Sequence, residues 1–258
     1  ENGTAESYAG AEALNTADTE VLTASSWDWG QLSVSVRITG LDEAKNSGAE
    51  ALIHLLDTKV KVAKESAIQK LNEMFVADGT GNSGVDWNGL ANLIDTANAS
   101  GTALGGIAPS AGTYWQTAYN DATAESIALP KLRTAFNSAA KGNDTPGFVL
   151  TTQTLYEAYE ALLQPSMRYP NATAADGGFQ SLEFKGRPVV YDEEIPAGKV
   201  YMINPKYLKL VGHSNNWFKM TPFIRPNNMD VRIAQVLSYG QLVLSSRRHH
   251  SVLTAKTA

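Results

Sequence analysis

The stretch that decides the fold is residues 47–79, SGAEALIHLLDTKVKVAKESAIQKLNEMFVADG. Ser47 and Glu50 match a capping box, in which two side chains satisfy each other's backbone N–H groups at a helix start. Gly79 supplies a stop signal. The spacing predicts one amphipathic helix of about thirty residues, roughly 45 Å long. We expect it to lie across a sheet, although a helix of a bundle has the same pattern. The apolar positions at three- and four-residue spacing are Leu52, Leu56, Val60, Ala63, Ala67, Leu71 and Phe75.

The residues before this helix alternate with the period of a β-strand. We expect the stretch ahead of Gly30 to be the antiparallel partner of residues 31–39, so that residues 19–39 form a two-stranded arm. Because an isolated hairpin is marginally stable in water, the apolar face of this arm should need a further surface, for which a neighbouring subunit is a candidate. The apolar positions are Leu32, Val34, Val36 and Ile38, and the polar ones are Ser33, Ser35, Arg37 and Thr39.

Two tryptophans, Trp27 and Trp29, lie near the tip of the predicted arm. Large aromatic side chains there can anchor a partner or fold back on their own subunit, and we favour the partner. Arg37 is a candidate for an ion pair between subunits. The candidate assembly interface is therefore Trp27, Trp29, Val34, Val36, Arg37 and Ile38.

Downstream, residues 79–124 are rich in Gly, Ser, Thr and Asn, which indicates turns and short irregular segments. Helices are predicted from Pro130 to Ala140 and from Gln153 to Leu163, with a strand at 148–152 between them. Strands dominate the remainder, so the pattern predicts a mixed α+β fold. These later strands are expected at 182–184, 188–191, 199–203, 217–224, 231–239 and 241–244.

Composition excludes several classes of function. The 258 residues carry 21 Lys and Arg against 26 Asp and Glu, a formal net charge of -5, which argues against a broadly basic nucleic-acid binder. The chain has no cysteine, so disulfides, thiolate nucleophiles and cysteine-ligated zinc are excluded. The longest uncharged run, between Asp95 and Asp121, is too polar for a membrane span.

Candidate catalytic residues are few. None of the four histidines stands near a nucleophile elbow; His54 is expected to pack on the long helix and His213 to lie in a loop. The basic run 247–250 can contact phosphate or an acidic partner, but a solvated strand end is the simpler interpretation. Residues 192–194, Asp-Glu-Glu, can do acid–base chemistry or bind a cation, yet an exposed acidic hairpin tip fits better. Residues 78–84 lack the pattern of a calcium loop. We therefore expect no catalytic, cofactor-binding or metal-binding residue.

Four segments in order resemble the major capsid proteins of tailed bacteriophages, the Hong Kong 97-like fold. They are LPKLRTAFNSA at 129–139, TPGFVLTTQTLYEAYEALL at 145–163, FKGRPVVYDEEIPAGKVYMINPKYLKL at 184–210 and MDVRIAQVLSYGQLVLSSRR at 229–248. The resemblance extends over nearly the whole chain. It implies an N-terminal arm at 1–18, an extended hairpin or E-loop at 19–44, a peripheral domain at 45–79 and 231–258, and an axial domain at 80–230.

The resemblance also implies a function. Such subunits assemble as pentamers and hexamers into an icosahedral head around double-stranded DNA, with no cofactor and no membrane. Scaffold, portal and decoration proteins are expected partners, and the contact with DNA is expected to be non-specific. The protein is expected to be located in the virion, after assembly in the host cytoplasm. An encapsulin, which has the same subunit fold and encloses a cargo enzyme, remains the alternative. A carboxylate-dependent hydrolase using residues 192–194 is a more distant one.

Two features bear on maturation. Some members of this family join subunits by an isopeptide bond from an E-loop lysine to an asparagine, but residues 19–44 contain no lysine. Lys45 is the nearest, and Asn227 and Asn228 resemble the acceptor region, so we expect a shell held without covalent bonds. The absence of Met before Glu1 fits the family's removal of an N-terminal segment by a protease, and fits trimming for expression equally well.

Overall fold

The computed structural model describes residues 7–13, 23–46, 49–94, 103–163 and 182–258. Its helices are α1 (Gly40–Lys45), α2 (Ala49–Val76), α3 (Gly81–Gly84), α4 (Leu90–Leu93), α5 (Leu129–Ala139) and α6 (Gln153–Leu163). Its strands are β1 (Gly30–Thr39), β2 (Tyr119–Asp121), β3 (Glu125–Ser126), β4 (Phe148–Thr151), β5 (Glu183–Phe184), β6 (Arg187–Tyr191), β7 (Val200–Ile203), β8 (Leu208–Gly212), β9 (Lys219–Met220), β10 (Val231–Leu244), β11 (Ser251–Leu253) and β12 (Lys256–Thr257).

Helix α2 lies against a sheet built from β1, β10, β8 and β9, so the predicted long helix is confirmed at 28 residues. Ala63 and Ala67 are buried on this helix, and their small side chains let its backbone approach the strands. Further along, Met74 packs with Leu32 of β1 and with Trp87. The capping residue Ser47 and the side chain of His54 lie outside the described residues.

The predicted two-stranded arm is wrong for the residues that the structure describes. Strand β1 pairs antiparallel with β10 along its whole length, from Gly30 opposite Gly240 to Thr39 opposite Val231. Residues 23–29 form no strand, and residues 19–22 lie outside the described part of the chain. The reason is that a partner some 200 positions away presents a matching apolar face, which period-2 patterning cannot reveal.

A second sheet of six strands has the order β2-β11-β7-β4-β6-β5. Helices α5 and α6 cover one face, where Phe136 and Tyr159 pack with Val149 and Val200. On the other face, Tyr201 and Ile203 pack with the end of α2 and with Leu242 and Leu244 of β10. Strand β10 therefore joins the two sheets. A short pair, β12 with β3, completes the topology.

Some of the predicted helix and strand boundaries are confirmed and others differ from the structure. Helix α6 has the predicted range, whereas the strands predicted at 231–239 and 241–244 are one continuous strand, and the sequence pattern did not predict β8. The predicted domain limits do not coincide with the sheets. Strands β8 and β9 lie within the predicted axial range yet pair with β10, while β11 lies within the predicted peripheral range yet pairs with β2 and β7.

The basic run at 247–250 is not the solvated strand end that the sequence suggests. Arg247 is 1% exposed and His250 is 0% exposed. The His249 ring stacks on Tyr207 with 4.1 Å between ring centroids. The backbone N–H of Asn204 donates to Nδ1 of His250 at 3.3 Å, so the imidazole proton resides on Nε2. Burial lowers the pKa of His250 from its ordinary 6.5 to about 3, so the ring is neutral in the folded chain.

Neutral burial of His250 predicts loss of stability in acid. The folded pKa lies below the unfolded value, so the stabilisation is complete above pH 6.5 and declines as the pH falls from 6.5 towards about 3. At about pH 4.5 the loss from this group is on the order of 3 kcal/mol. We expect His250→Asn to flatten the dependence of the urea-unfolding midpoint on pH. Equal pH dependence in wild type and His250→Asn would contradict this assignment.

Candidate functional site

Strand β1 is an edge strand of its sheet. It pairs with β10 on one side and with no other strand among the described residues. On the free side, the Nζ of Lys59 donates to the carbonyl oxygen of Arg37 at 3.0 Å. A long strand edge presents unpaired backbone groups on which another chain can pair. This edge is therefore a candidate contact surface.

The side chains of β1 divide between the core and solvent. Val36 and Ile38 are each 3% exposed, and Val34 is half-buried. The expectation that this apolar face needs a neighbouring subunit does not hold for Val36 and Ile38, because α2 of the same chain covers it. Arg37 lies on the opposite face beside Ile233, is exposed, and has no acidic partner among the described residues. Arg37 thus remains available for an ion pair with another chain.

The two tryptophans differ in their surroundings. Trp27 is half-buried, donates from Nε1 to Ser25 Oγ at 3.1 Å and packs beside Gly105. Trp29 is 52% exposed, and its ring meets that of His213 edge-on at 5.5 Å. The sequence does not separate these two residues, since both flank Asp28. Of the two, Trp29 offers the larger free surface to a partner.

Trp29 lines a groove of about 850 Å³ on the face of the sheet that α2 does not cover. The wall opposite the strands is the turn at residues 79–88. Two carboxylates reach the groove, and the Asp86 carboxylate lies 3.8 Å from Nζ of Lys70. The groove is open and lined largely by polar residues, so it suits a contact with another protein better than the binding of a small apolar ligand. Other lining residues are Asp28, Gln31, Ser33, Asn88, Gln235, Leu237 and Tyr239.

Of the acidic residues 192–194, Asp192 has a structural role. Both carboxylate oxygens of Asp192 accept hydrogen bonds from Asn72 Nδ2 of α2 at 3.1 Å, and one accepts the backbone N–H of Glu194 at 2.9 Å. The turn is not a hairpin tip, because β4 stands between β6 and β7 in the sheet. Asp192 therefore ties the long helix to the second sheet.

A buried lysine fixes the end of the chain. Lys256 Nζ lies 3.4 Å from Asp121 and 2.9 Å from Glu125, and Lys131 bridges the same two carboxylates at 2.8 and 3.1 Å. Hydrogen bonding from Lys131 holds the pKa of Asp121 well below its usual range. The four charges cancel, so this cluster stabilises the β12–β3 pair instead of offering a reactive group.

The described residues contain no group of three His, Asp or Glu side chains arranged to hold a metal ion. Within the same ranges, no helix is both long and apolar enough to cross a membrane.

Comparison with known proteins reveals the fold. No protein-family model matches the chain, and no curated protein sequence matches it. The capsid asymmetric unit of cyanophage A-1(L) has 16% identity and a TM-score of 0.67, with 89% of this chain and 78% of that chain covered. The capsid of an empty GTA particle has 12% identity and a TM-score of 0.59, with 96% and 81% covered. The holo-SrpI encapsulin complex from Synechococcus elongatus has 15% identity and a TM-score of 0.57, with 89% and 74% covered.

At these identities the similarity concerns three-dimensional architecture. Phage capsid subunits and an encapsulin share it. The chain therefore has the α+β, Hong Kong 97-like fold of capsid shell subunits.

Proposed function

We propose that this chain is the major capsid protein of a tailed phage, which self-assembles into the icosahedral head shell around double-stranded DNA. The observation that carries the proposal is the match of 89% of the chain to a cyanophage capsid subunit at a TM-score of 0.67. In this proposal the subunit works in the virion, after assembly in the host cytoplasm. Its working parts are contacts between copies, as pentamers and hexamers.

The described surface supports a role in assembly. One edge of the ten-residue β1 pairs with no strand among the described residues, and Arg37 in this strand and Trp29 just before it are exposed. A free edge of this length favours pairing with another chain. Portal, scaffold and decoration proteins are further proposed partners, and contact with packaged DNA is proposed to be non-specific.

We propose no catalytic residue, cofactor or metal for this chain. A hydrolase using residues 192–194 is disfavoured, because Asp192 already accepts bonds from Asn72 and from the Glu194 backbone. An encapsulin-like shell protein is the second candidate, supported by the fold match at a TM-score of 0.57.

Electron microscopy of particles from the native source tests the proposal. We expect closed icosahedral shells, and the ratio of nucleic-acid to protein absorbance should show a packaged genome. Shells that hold a cargo protein and no long DNA would favour the encapsulin. A persistent monomer from the full-length gene product, supplied with its scaffold, would refute both.

Subunits in the shell should separate without breaking covalent bonds, because residues 19–44 contain no lysine to donate to an isopeptide bond. Boiling purified shells in detergent should release a single band at the mass of one subunit, which is 27.7 kDa for a chain of 258 residues. A ladder of multimers that survives boiling and reductant would contradict this.

Exposed residues beside β1 should matter for assembly and not for folding. We expect Arg37→Ala and Trp29→Ala to keep the wild-type circular dichroism spectrum but to lower the yield of shells several-fold. Arg133→Ala, at an exposed arginine on α5, is the matched control and should assemble normally. Val36 and Ile38 are unsuitable for this test because their truncation opens a cavity in the core. Normal shells from both variants would remove Arg37 and Trp29 from the interface.

A further inference from the structure

The two ends of the six-stranded sheet carry opposite charge. Strands β4, β6, β11 and β2 run in the same direction, and β7 runs against them. The loops before the four parallel strands and after β7 therefore meet at one end of the sheet. This end, which we call the basic end, has one carboxylate in these loops, Asp144. Its exposed or half-buried cations are Lys141, Lys185, Arg187, Lys206 and Arg248, and the loop before β11 also holds the buried Arg247. Arg187 is the first residue of β6, and the exposed Glu183 is the first residue of the adjacent β5.

Most of this positive charge has no acidic partner among the residues that the structure describes. Lys206 pairs with Asp144 at 2.8 Å. Lys185 instead donates to the amide oxygen of Asn137, and Arg187 donates to Thr145 Oγ1 at 2.9 Å. Neutral partners fix the direction of a cation without cancelling its charge. Lys185 and Arg187 are both exposed.

The opposite end of the sheet, the acidic end, has the reverse balance. Asp192, Glu193 and Glu194 follow β6 there, and Lys199 precedes β7. Four further charges at this end neutralise one another, because Lys131 and Lys256 form ion pairs with Asp121 and Glu125. Glu193 is exposed, and its carboxylate has no partner among the described residues. The acidic end therefore has free negative charge.

The two ends also differ in shape. At the basic end, β5 and β6 are joined by a two-residue turn in which Lys185 and Gly186 have φ of 51° and 71°. Positive φ at both positions makes a tight turn, with Lys185 at its tip and Arg187 beside it. The acidic end instead has a cleft of about 540 Å³ between the start of α6 and the connection from β6 to β7. Asp192 and Glu193 line this cleft.

We propose that the Lys185–Arg187 turn of one copy docks in the Asp192–Glu193 cleft of the next copy. The inference rests on the proposed function, because it supplies the contact between neighbours in one ring. The two surfaces lie at opposite ends of one sheet, so the contact is head-to-tail, and a head-to-tail contact closes into a ring when its rotation permits. Charge complementarity orients the approach and excludes the reversed arrangement.

A phosphate backbone is the competing partner for the basic end. It would use Lys185 and Arg187 but would leave the acidic cleft without a role. The presence of both surfaces on the same chain therefore favours a second copy. The two partners make different predictions for the acidic end.

Charge reversal tests the contact. Lys185→Glu with Arg187→Glu reverses the charge of the turn. Glu193→Lys in the cleft, with Glu194→Lys next to it in the chain, reverses the charge of the acidic end while sparing Asp192, which holds α2. We expect each pair to give folded subunits with at least a roughly tenfold lower yield of rings and shells by sedimentation and microscopy. The four changes together should restore most of the yield, because the attraction returns with opposite sign. Lys61→Glu with Lys64→Glu on α2 is the matched control for the turn pair, with the same charge change, and should assemble normally.

The outcomes separate the possibilities. Normal assembly of both reversed pairs, or no recovery in the fourfold variant, would overturn the contact while wild-type shells keep the proposed function. Loss confined to the turn variant, together with weaker binding of a double-stranded DNA probe, would assign the basic end to nucleic acid and overturn the contact. Wild-type protein that forms no shell would overturn the proposed function itself. If a reversed pair misfolds by circular dichroism, the milder Lys185→Gln with Arg187→Gln replaces it and should still lower the yield.

Discussion

The rest of the structure depends on the pairing of β10 with β1. The first ten residues of β10 pair with β1, on which α2 lies, and Leu242 and Leu244 near its end enter the core of the second sheet. One strand of 14 residues thus belongs to both halves of the molecule. Because an antiparallel ladder fixes register, a shift of β10 would move residues of both cores together.

A pair of glycines makes that pairing compatible with the core above it. Gly30 and Gly240 stand opposite each other, and the fully buried Trp87 lies over both. A Cβ on Gly30 would come within 2.3 Å of the indole ring, and one on Gly240 within 2.8 Å. The indole therefore occupies the space that a side chain at position 30 or 240 would need, so glycine is required at both positions. Phe75 and Trp217 continue this aromatic contact on either side of Trp87.

Local patterns predict the parts of the fold that local energetics determine. The periodicity of α2 and α6 follows from one apolar stripe, and their predicted ranges are nearly correct. The partner of β1 is not predictable in this way, since alternation reports that one face is buried but not what buries it. The burial of residues 247–250 could not be predicted from local patterns for a similar reason. Its polarity suggests solvent, whereas the structure buries His250 as a neutral ring beside Asn204.

The same limit applies to the candidate interface. Val34, Val36 and Ile38 are candidates from sequence because an arm without a core needs a neighbour, but Val36 and Ile38 are buried within the same chain, where α2 packs on β1. Trp29 and Arg37 remain exposed, and only the fold could separate them from the buried set. The charge difference between the ends of the second sheet is also hidden in sequence. Lys141, Lys185 and Lys206 are far apart along the chain and meet only because their strands end at the same side of the sheet.

Weak contacts between such ends are suited to a closed ring. A surface ion pair contributes roughly 0–1 kcal/mol, so a single head-to-tail contact between Lys185 and Glu193 would be readily reversible. Closure of the ring adds a further contact after the copies are already held together, and this last contact forms at high effective concentration. A complete ring is then much more stable than any open chain of the same copies. Reversible single contacts allow a wrongly placed copy to leave, and closure retains the correct arrangement.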